Sequence, residues 1–287
     1  MPFIRHTLPA TATGPQLNLS QLSAELAERT ITRPPLLMLH GYTAGAWMYE
    51  THYMPCLVQA GWTCFALDLR GHGNSNGHTT IHTSRYREYL SDVSYAAAFV
   101  EAQTGIPPIL IGHSLGSVLA RDYAATNSIS GLVLMGFGDL KPAMNSFMSW
   151  MLKRFPLATL GGIITGRSSC MWAKFEPQYQ VLFSGQSPES VRTYVSKFQR
   201  QPESDKIFMD LMGRKIPKKT RSNVPISIIA GDRDPAARAK SLAPLATGYG
   251  VTPSIIEGAA HDLCLGHYWK PAMAELQGWL EQHFPSS

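Results

Sequence analysis

A serine stands between two glycines in the run Gly112-His113-Ser114-Leu115-Gly116. An apolar stretch at 109–111 precedes it, and a helix-length segment starting with Leu115 follows. A chain passing from strand to helix in so few residues makes a sharp bend. A serine at that bend adopts a strained backbone conformation. The flanking glycines remove side chains that would clash across the turn. The hydroxyl would then project from the top of a sheet. The following helix would aim its N-terminus at the same spot, where positive partial charge favours a developing oxyanion. This is a setting for nucleophilic catalysis. The rival reading is a glycine-rich turn that only seats a helix on a strand. A serine hydroxyl is a poor nucleophile at neutral pH and needs a base. His113 is adjacent in sequence, and its side chain should point away from the Ser114 oxygen, so a structural role is expected for it. The ten histidines form no HExxH or other metal-ligand pattern, and no metal is expected. Cys56, Cys64, Cys170 and Cys264 form no CxxC pair. Free thiols are expected, with a Cys56–Cys64 bridge left open.

The elements that must position Ser114 follow from the hydrophobic pattern. Buried strands are expected at 36–39, 63–67, 109–111, 132–135, 226–230 and 254–256. Helices are expected at 46–60, 84–104, 115–126 and around 270–283. In the helix at 84–104, Tyr86, Tyr89, Leu90, Val93, Ala97 and Val100 share one stripe, and Gly105 and Pro107 stop it. This alternation predicts an α/β fold, a mostly parallel central sheet with helices on both faces. One or two antiparallel edge strands are expected in the first 33 residues. The rhythm breaks over 137–223, which holds six of the 12 methionines and seven of the 11 phenylalanines. Residues 137–223 are therefore expected to form a mostly helical cap inserted into a core made of 1–136 and 224–287. Met144, Phe147, Met148, Met151 and Phe155 recur at helical spacing on a greasy inner face. They are candidates for the substrate pocket, although packing of cap against core is the larger role expected of them.

Length and composition fit one large domain with an insertion. Of 287 residues, 44% are hydrophobic and 16% charged, which excludes a disordered chain. No apolar stretch is long enough to span a membrane. The start, MPFIRHTLPATATG, has no continuous apolar core, so no secretory signal and a cytoplasmic location are expected. The net charge of +5 is matched by the five positive charges of the run 214–221, RKIPKKTR. One short basic run reads as a solvated loop rather than a nucleic-acid surface.

Five motifs in order give the chain a family resemblance. Besides Gly-His-Ser-Leu-Gly, these are His40-Gly41-Tyr42, Asp68-Leu69-Arg70-Gly71-His72-Gly73-Asn74-Ser75, Gly231-Asp232-Arg233-Asp234 and Gly258-Ala259-Ala260-His261-Asp262. Each follows an expected strand, where open α/β sheets place their ligands. Together they resemble the α/β-hydrolase superfamily, in its serine esterase and lipase branch, over nearly the whole chain. The resemblance implies that His261 is the base for Ser114, and that an acid holds its tautomer. It selects Asp234, which would leave Asp232 as a loop-capping residue, with Asp232 and then Asp139 as the alternative acids. It assigns the oxyanion donors to the backbone N–H groups of Tyr42 and Leu115. His40 and His72 go to structural loops, and Asp68 and Arg70 to bracing theirs. The implied activity is cleavage of a small, apolar carboxylic ester through an acyl-enzyme, with no cofactor. C–C bond hydrolysis, lactone opening, amide cleavage and acyl transfer use the same three residues and stay open. So does a non-catalytic member that holds a small ligand.

Overall fold

The computed structural model describes residues 2–12, 14–23, 33–167, 169–172, 174–212 and 223–286. The basic run 214–221 lies outside these residues. Strands β1 (Ile4–Leu8) and β2 (Leu17–Leu22) form the expected antiparallel pair at one edge. They are followed by β3 (Leu36–Leu39), β4 (Cys64–Asp68), β5 (Ile109–His113), β6 (Gly131–Met135), β7 (Ile226–Gly231) and β8 (Ser254–Ile256). The sheet order is β1-β2-β4-β3-β5-β6-β7-β8. Every neighbouring pair from β4 to β8 is parallel. All residues of β3, β4, β5 and β6 are buried. Continuous apolar runs rather than alternating ones follow, because both faces of a parallel sheet are covered.

The covering helices are α1 (Trp47–Glu50), α2 (Tyr53–Gln59), α3 (Tyr86–Thr104), α4 (Leu115–Ala124), α5 (Leu140–Arg154), α6 (Pro156–Thr165), α7 (Ser169–Trp172), α8 (Phe175–Leu182), α9 (Pro188–Arg200), α10 (Asp205–Met212), α11 (Ala239–Tyr249) and α12 (Trp269–His283). The period-2 alternation of each strand sorts its side chains into two layers. Met38, Ala66, Ile111 and Val133 meet Tyr49 and Tyr53 of the α1–α2 region and Leu276 of α12. Leu37, Leu67, Leu110 and Leu134 meet Val93 of α3, Leu119 of α4 and Leu245 of α11. The helix expected at 46–60 is two short helices. Helix α3 ends at Gly105, whose φ of 74° suits the left-handed cap that glycine adopts freely. Between β6 and β7 the described chain holds six helices, α5 to α10, and no strand. All four cysteines are free. No helix among the described residues is long and apolar enough to cross a membrane.

Candidate active site

Ser114 caps α4 with φ 54° and ψ −114°, a conformation that side chains rarely adopt. Packing around the bend holds it there. A Cβ on Gly112 would collide with the Gly116 backbone, and a Cβ on Gly116 with the Leu39 carbonyl. Only glycine at both positions lets α4 lie this close to β5 and β3. Ser117, one turn into α4, stitches the bend to β6. Its hydroxyl bonds the Gly112 carbonyl at 2.7 Å and accepts from the Met135 amide at 3.1 Å. Nothing in the sequence pattern around Ser117 announces this contact.

His261 lies in the loop after β8, with Nε2 2.9 Å from the Ser114 hydroxyl oxygen. Its Nδ1 donates to Asp234 Oδ2 at 2.7 Å. Burial disfavours the His261 cation, but the Asp234 carboxylate more than offsets this and leaves the pKa above the ordinary 6.5. Three groups hold the loop that carries His261. The His113 Nε2–H donates to the His261 carbonyl at 2.8 Å. The amides of His261 and Asp262 donate to the Val181 and Leu182 carbonyls at the end of α8, at 3.1 and 3.0 Å. Asp262, fully buried, has its pKa pushed up to about 6 by burial. His113 is held neutral by burial, with its pKa near 3. Its Nε2 bonds the His261 carbonyl rather than the Ser114 hydroxyl.

The other acids have other partners. Asp232 Oδ1 accepts from the Gly258 amide at 2.8 Å and fastens the two loops. Asp139 accepts from the Leu140 amide at 3.1 Å and caps α5. Only Asp234, of the three, lies on His261.

Leu115 is the first residue of α4, so its N–H stands at the helix N-terminus beside Ser114. Tyr42 follows Gly41, which is pressed against the bend. A Cβ on Gly41 would come within 3.1 Å of Ser114 Cβ and 3.0 Å of His113 Nδ1. The loop continues through Thr43, a non-glycine residue at φ 52°. Its amide donates at 3.1 Å to Glu203, a buried carboxylate between α9 and α10. Glu203 also accepts from the Tyr89 hydroxyl and the Ser204 amide, both at 2.8 Å, and lies 3.3 Å from His72 Nε2. Burial opposes both charges. Each partner outweighs it, so the His72 pKa is raised and the Glu203 pKa lowered. Sequence reasoning missed Glu203, because Gln201-Pro202-Glu203-Ser204 reads as an ordinary polar loop.

His40 donates from Nδ1 to the Gly41 carbonyl at 2.8 Å and accepts the Leu69 amide at 3.1 Å. Burial holds it neutral, with a pKa near 3. Asp68 accepts the amides of Ala46 and Asn74, and Arg70 forks onto Asp92. All are bracing roles.

A cavity opens over Ser114 and His261. Its floor includes Tyr42, Leu115 and Val118, and its walls include Met144, Phe147, Trp172, Gln178 and Phe198 from the helices between β6 and β7. Met144 and Phe147 therefore line it as expected. Met148 and Met151 do not. They lie on the same stripe of α5 as Met144, with Met151 about 10 Å farther along the axis at about 1.5 Å per residue. There Met151 is fully buried in the core with Phe147 and Met171, and Met148 packs partly buried against that core. Among the described residues no group of three or more His, Cys, Asp or Glu is placed to hold a metal ion.

Comparison with known proteins gives matches to one fold with several activities, among them lipases, esterases and the epoxide hydrolase B of Mycobacterium tuberculosis. A family model described as the alpha/beta hydrolase fold matches residues 34–268. A monoacylglycerol lipase of Mycolicibacterium smegmatis is 22% identical over 270 residues, 88% of this chain and 90% of its own. Protein phosphatase methylesterase 1 of Mus musculus is 34% identical over 131 residues, which is 42% of this chain and 32% of that protein. Among solved structures, an open-form lipase superposes with a TM-score of 0.71 at 17% identity, over 98% of this chain and 99% of that one. A thermophilic esterase from Thermogutta terrifontis gives 0.67 at 17% identity, over 98% and 99%.

Proposed function

This chain belongs to the α/β-hydrolase fold family, and on that premise we propose that it is a serine hydrolase of carboxylic esters. The observation that carries the proposal is the chain of contacts Ser114–His261–Asp234, at 2.9 and 2.7 Å, at the mouth of a mostly apolar cavity. His261 takes the Ser114 proton as the hydroxyl oxygen attacks the ester carbonyl. Asp234 holds the Nδ1–H tautomer and stabilises the imidazolium. The tetrahedral oxygen receives the backbone N–H groups of Tyr42 and Leu115. Losing one such donor costs about 3 kcal/mol of barrier. The carbonyl end of α8 faces the His261 loop and adds negative partial charge where the imidazolium forms. The imidazolium then protonates the leaving alcohol. A water activated by the same ring releases the acid and frees Ser114.

Helices α5 to α10 act as the cap, so 137–223 form the lid and 1–136 with 224–287 the catalytic core. The lipase and esterase names of the relatives support an ester substrate, and the Met144 and Phe147 wall supports an apolar acyl group. The test is a chain-length series of p-nitrophenyl esters beside a vinylogous diketone, with Ser114→Ala as blank. Ester turnover above the blank with the diketone untouched is expected. Turnover of the diketone alone would replace the proposal with C–C bond hydrolysis.

A further inference from the structure

Gln178 is the polar residue on the face of α8 that turns toward the cavity. It shares that face with Val181 and Leu182, three and four residues on, and all three line the cavity. Gln178 is 1% exposed, and its side-chain oxygen has no hydrogen-bond partner. A buried amide acceptor left unpaired is costly, and most such groups find a partner. Several of the other polar groups around the cavity are engaged. Ser114, His261 and Asp234 hold one another, and the Tyr42 hydroxyl reaches the Ser204 carbonyl at 3.5 Å. His113 Nδ1 is also unpaired, but it is closed off against Gly41. The cap walls near Gln178 are otherwise apolar, with Phe147, Val181, Leu182, Phe198 and Leu211. A trapped water there would lack the two to four polar partners it usually has.

The position of Gln178 relative to the reacting groups is fixed. The Val181 and Leu182 carbonyls of the same helix grip the His261 and Asp262 amides. Gln178 stands about one turn, some 5 Å of helix axis, before them. We propose that Gln178 is a specificity-determining residue whose side-chain oxygen accepts a hydrogen bond from a hydroxyl or N–H carried by the substrate. The substrate class is thus a polar-substituted ester, with an apolar body and one hydrogen-bond donor. The proposal rests on the ester-hydrolase reading of the same site. A site built to bond a donor rejects the analogue that lacks it, because its own buried group is then left unpaired.

The experiment compares two matched pairs, ethyl 3-hydroxyoctanoate with ethyl octanoate and glycerol 1-octanoate with propyl octanoate. The first pair carries the donor on the acyl side and the second on the alcohol side. The wild-type protein should favour the hydroxylated member of one pair by about tenfold or more in kcat/KM. Gln178→Met, which keeps the length and shape of the side chain, should bring that ratio within about twofold, the unsubstituted ester of each pair serving as the internal reference. Equal turnover within both pairs by the wild-type protein, or a preference that survives in Gln178→Met, overturns the proposal. Binding of the same pairs to Ser114→Ala by calorimetry reads the contact without chemistry. Tighter binding of a hydroxylated member, lost on adding Gln178→Met, supports the proposal, and equal binding overturns it. No turnover of any of the four esters defeats the ester reading instead, and the binding comparison still decides the role of Gln178.

Discussion

The ionisation of His261 is set before any substrate arrives. Burial pulls its pKa down, Asp234 pulls it up further, and the result lies above 6.5. The base must be neutral to take the Ser114 proton, so activity is lost as pH falls through that pKa. The expected kcat/KM profile has an acid limb with its midpoint above 6.5. Asp234→Asn should lower kcat by about 10⁴ because the imidazole is then held in the wrong tautomer. Asp232→Asn should change kcat little, since Asp232 only fastens the Gly258 loop. An acid limb below 6.5, or equal losses in the two variants, would contradict these assignments. At this scale the sequence was informative where a residue follows a strand. Ser114, Asp234 and His261 each end one, so the fold alone brings them near each other. Gln178 and Glu203 sit in the cap, where no sheet fixes position, and their neighbours come only from tertiary packing. Met148 and Met151 share the stripe of Met144 but not its depth, and a helical period carries no information about where a cavity ends.

Glu203, in the loop between α9 and α10, is one of the joints between the proposed cap and the core. It ties the Thr43 amide, next to the proposed oxyanion donor Tyr42, to His72 and Tyr89. The pair has a defined pH window. His72 has a raised pKa, so its contribution is full below 6.5 and lost as pH rises through the raised value. Glu203 has a lowered pKa, so its contribution is full above 4.5 and lost as pH falls through the lowered value. Thermal stability should therefore fall at both ends. Glu203→Gln should cost about 3–5 kcal/mol by leaving a buried partner uncompensated. It should also flatten the alkaline fall, as calorimetry across pH would read. An unchanged alkaline limb in that variant would show that His72 and Glu203 are not coupled. The strands and the long helices α3 and α12 were readable because their periodicity is strong and glycine or proline stands near their ends. The division of 46–60 into α1 and α2 is marked in the sequence only by Pro55, which lacks an N–H to continue the first helix and sits in the first turn of the second.

The whole molecule is a mostly parallel sheet whose strand ends carry the candidate site, with the helices between β6 and β7 laid over them. The sheet was readable because a doubly covered strand is apolar throughout. The path of the cap was not, because six short helices without a repeating unit can be arranged in many ways. That difference explains why the sequence pointed to residues that lie together at the strand ends, and to the cavity walls only in part. The central claim is that one hydroxyl, activated by the fold, is the nucleophile. The direct measurement is intact-mass spectrometry of the protein after treatment with a fluorophosphonate, followed by peptide mapping and assay of ester turnover. One adduct per chain, located on Ser114, with turnover lost in proportion and no adduct in a folded Ser114→Ala protein, is the expected result. Labelling that persists in Ser114→Ala, or turnover that survives full modification of Ser114, would contradict the account.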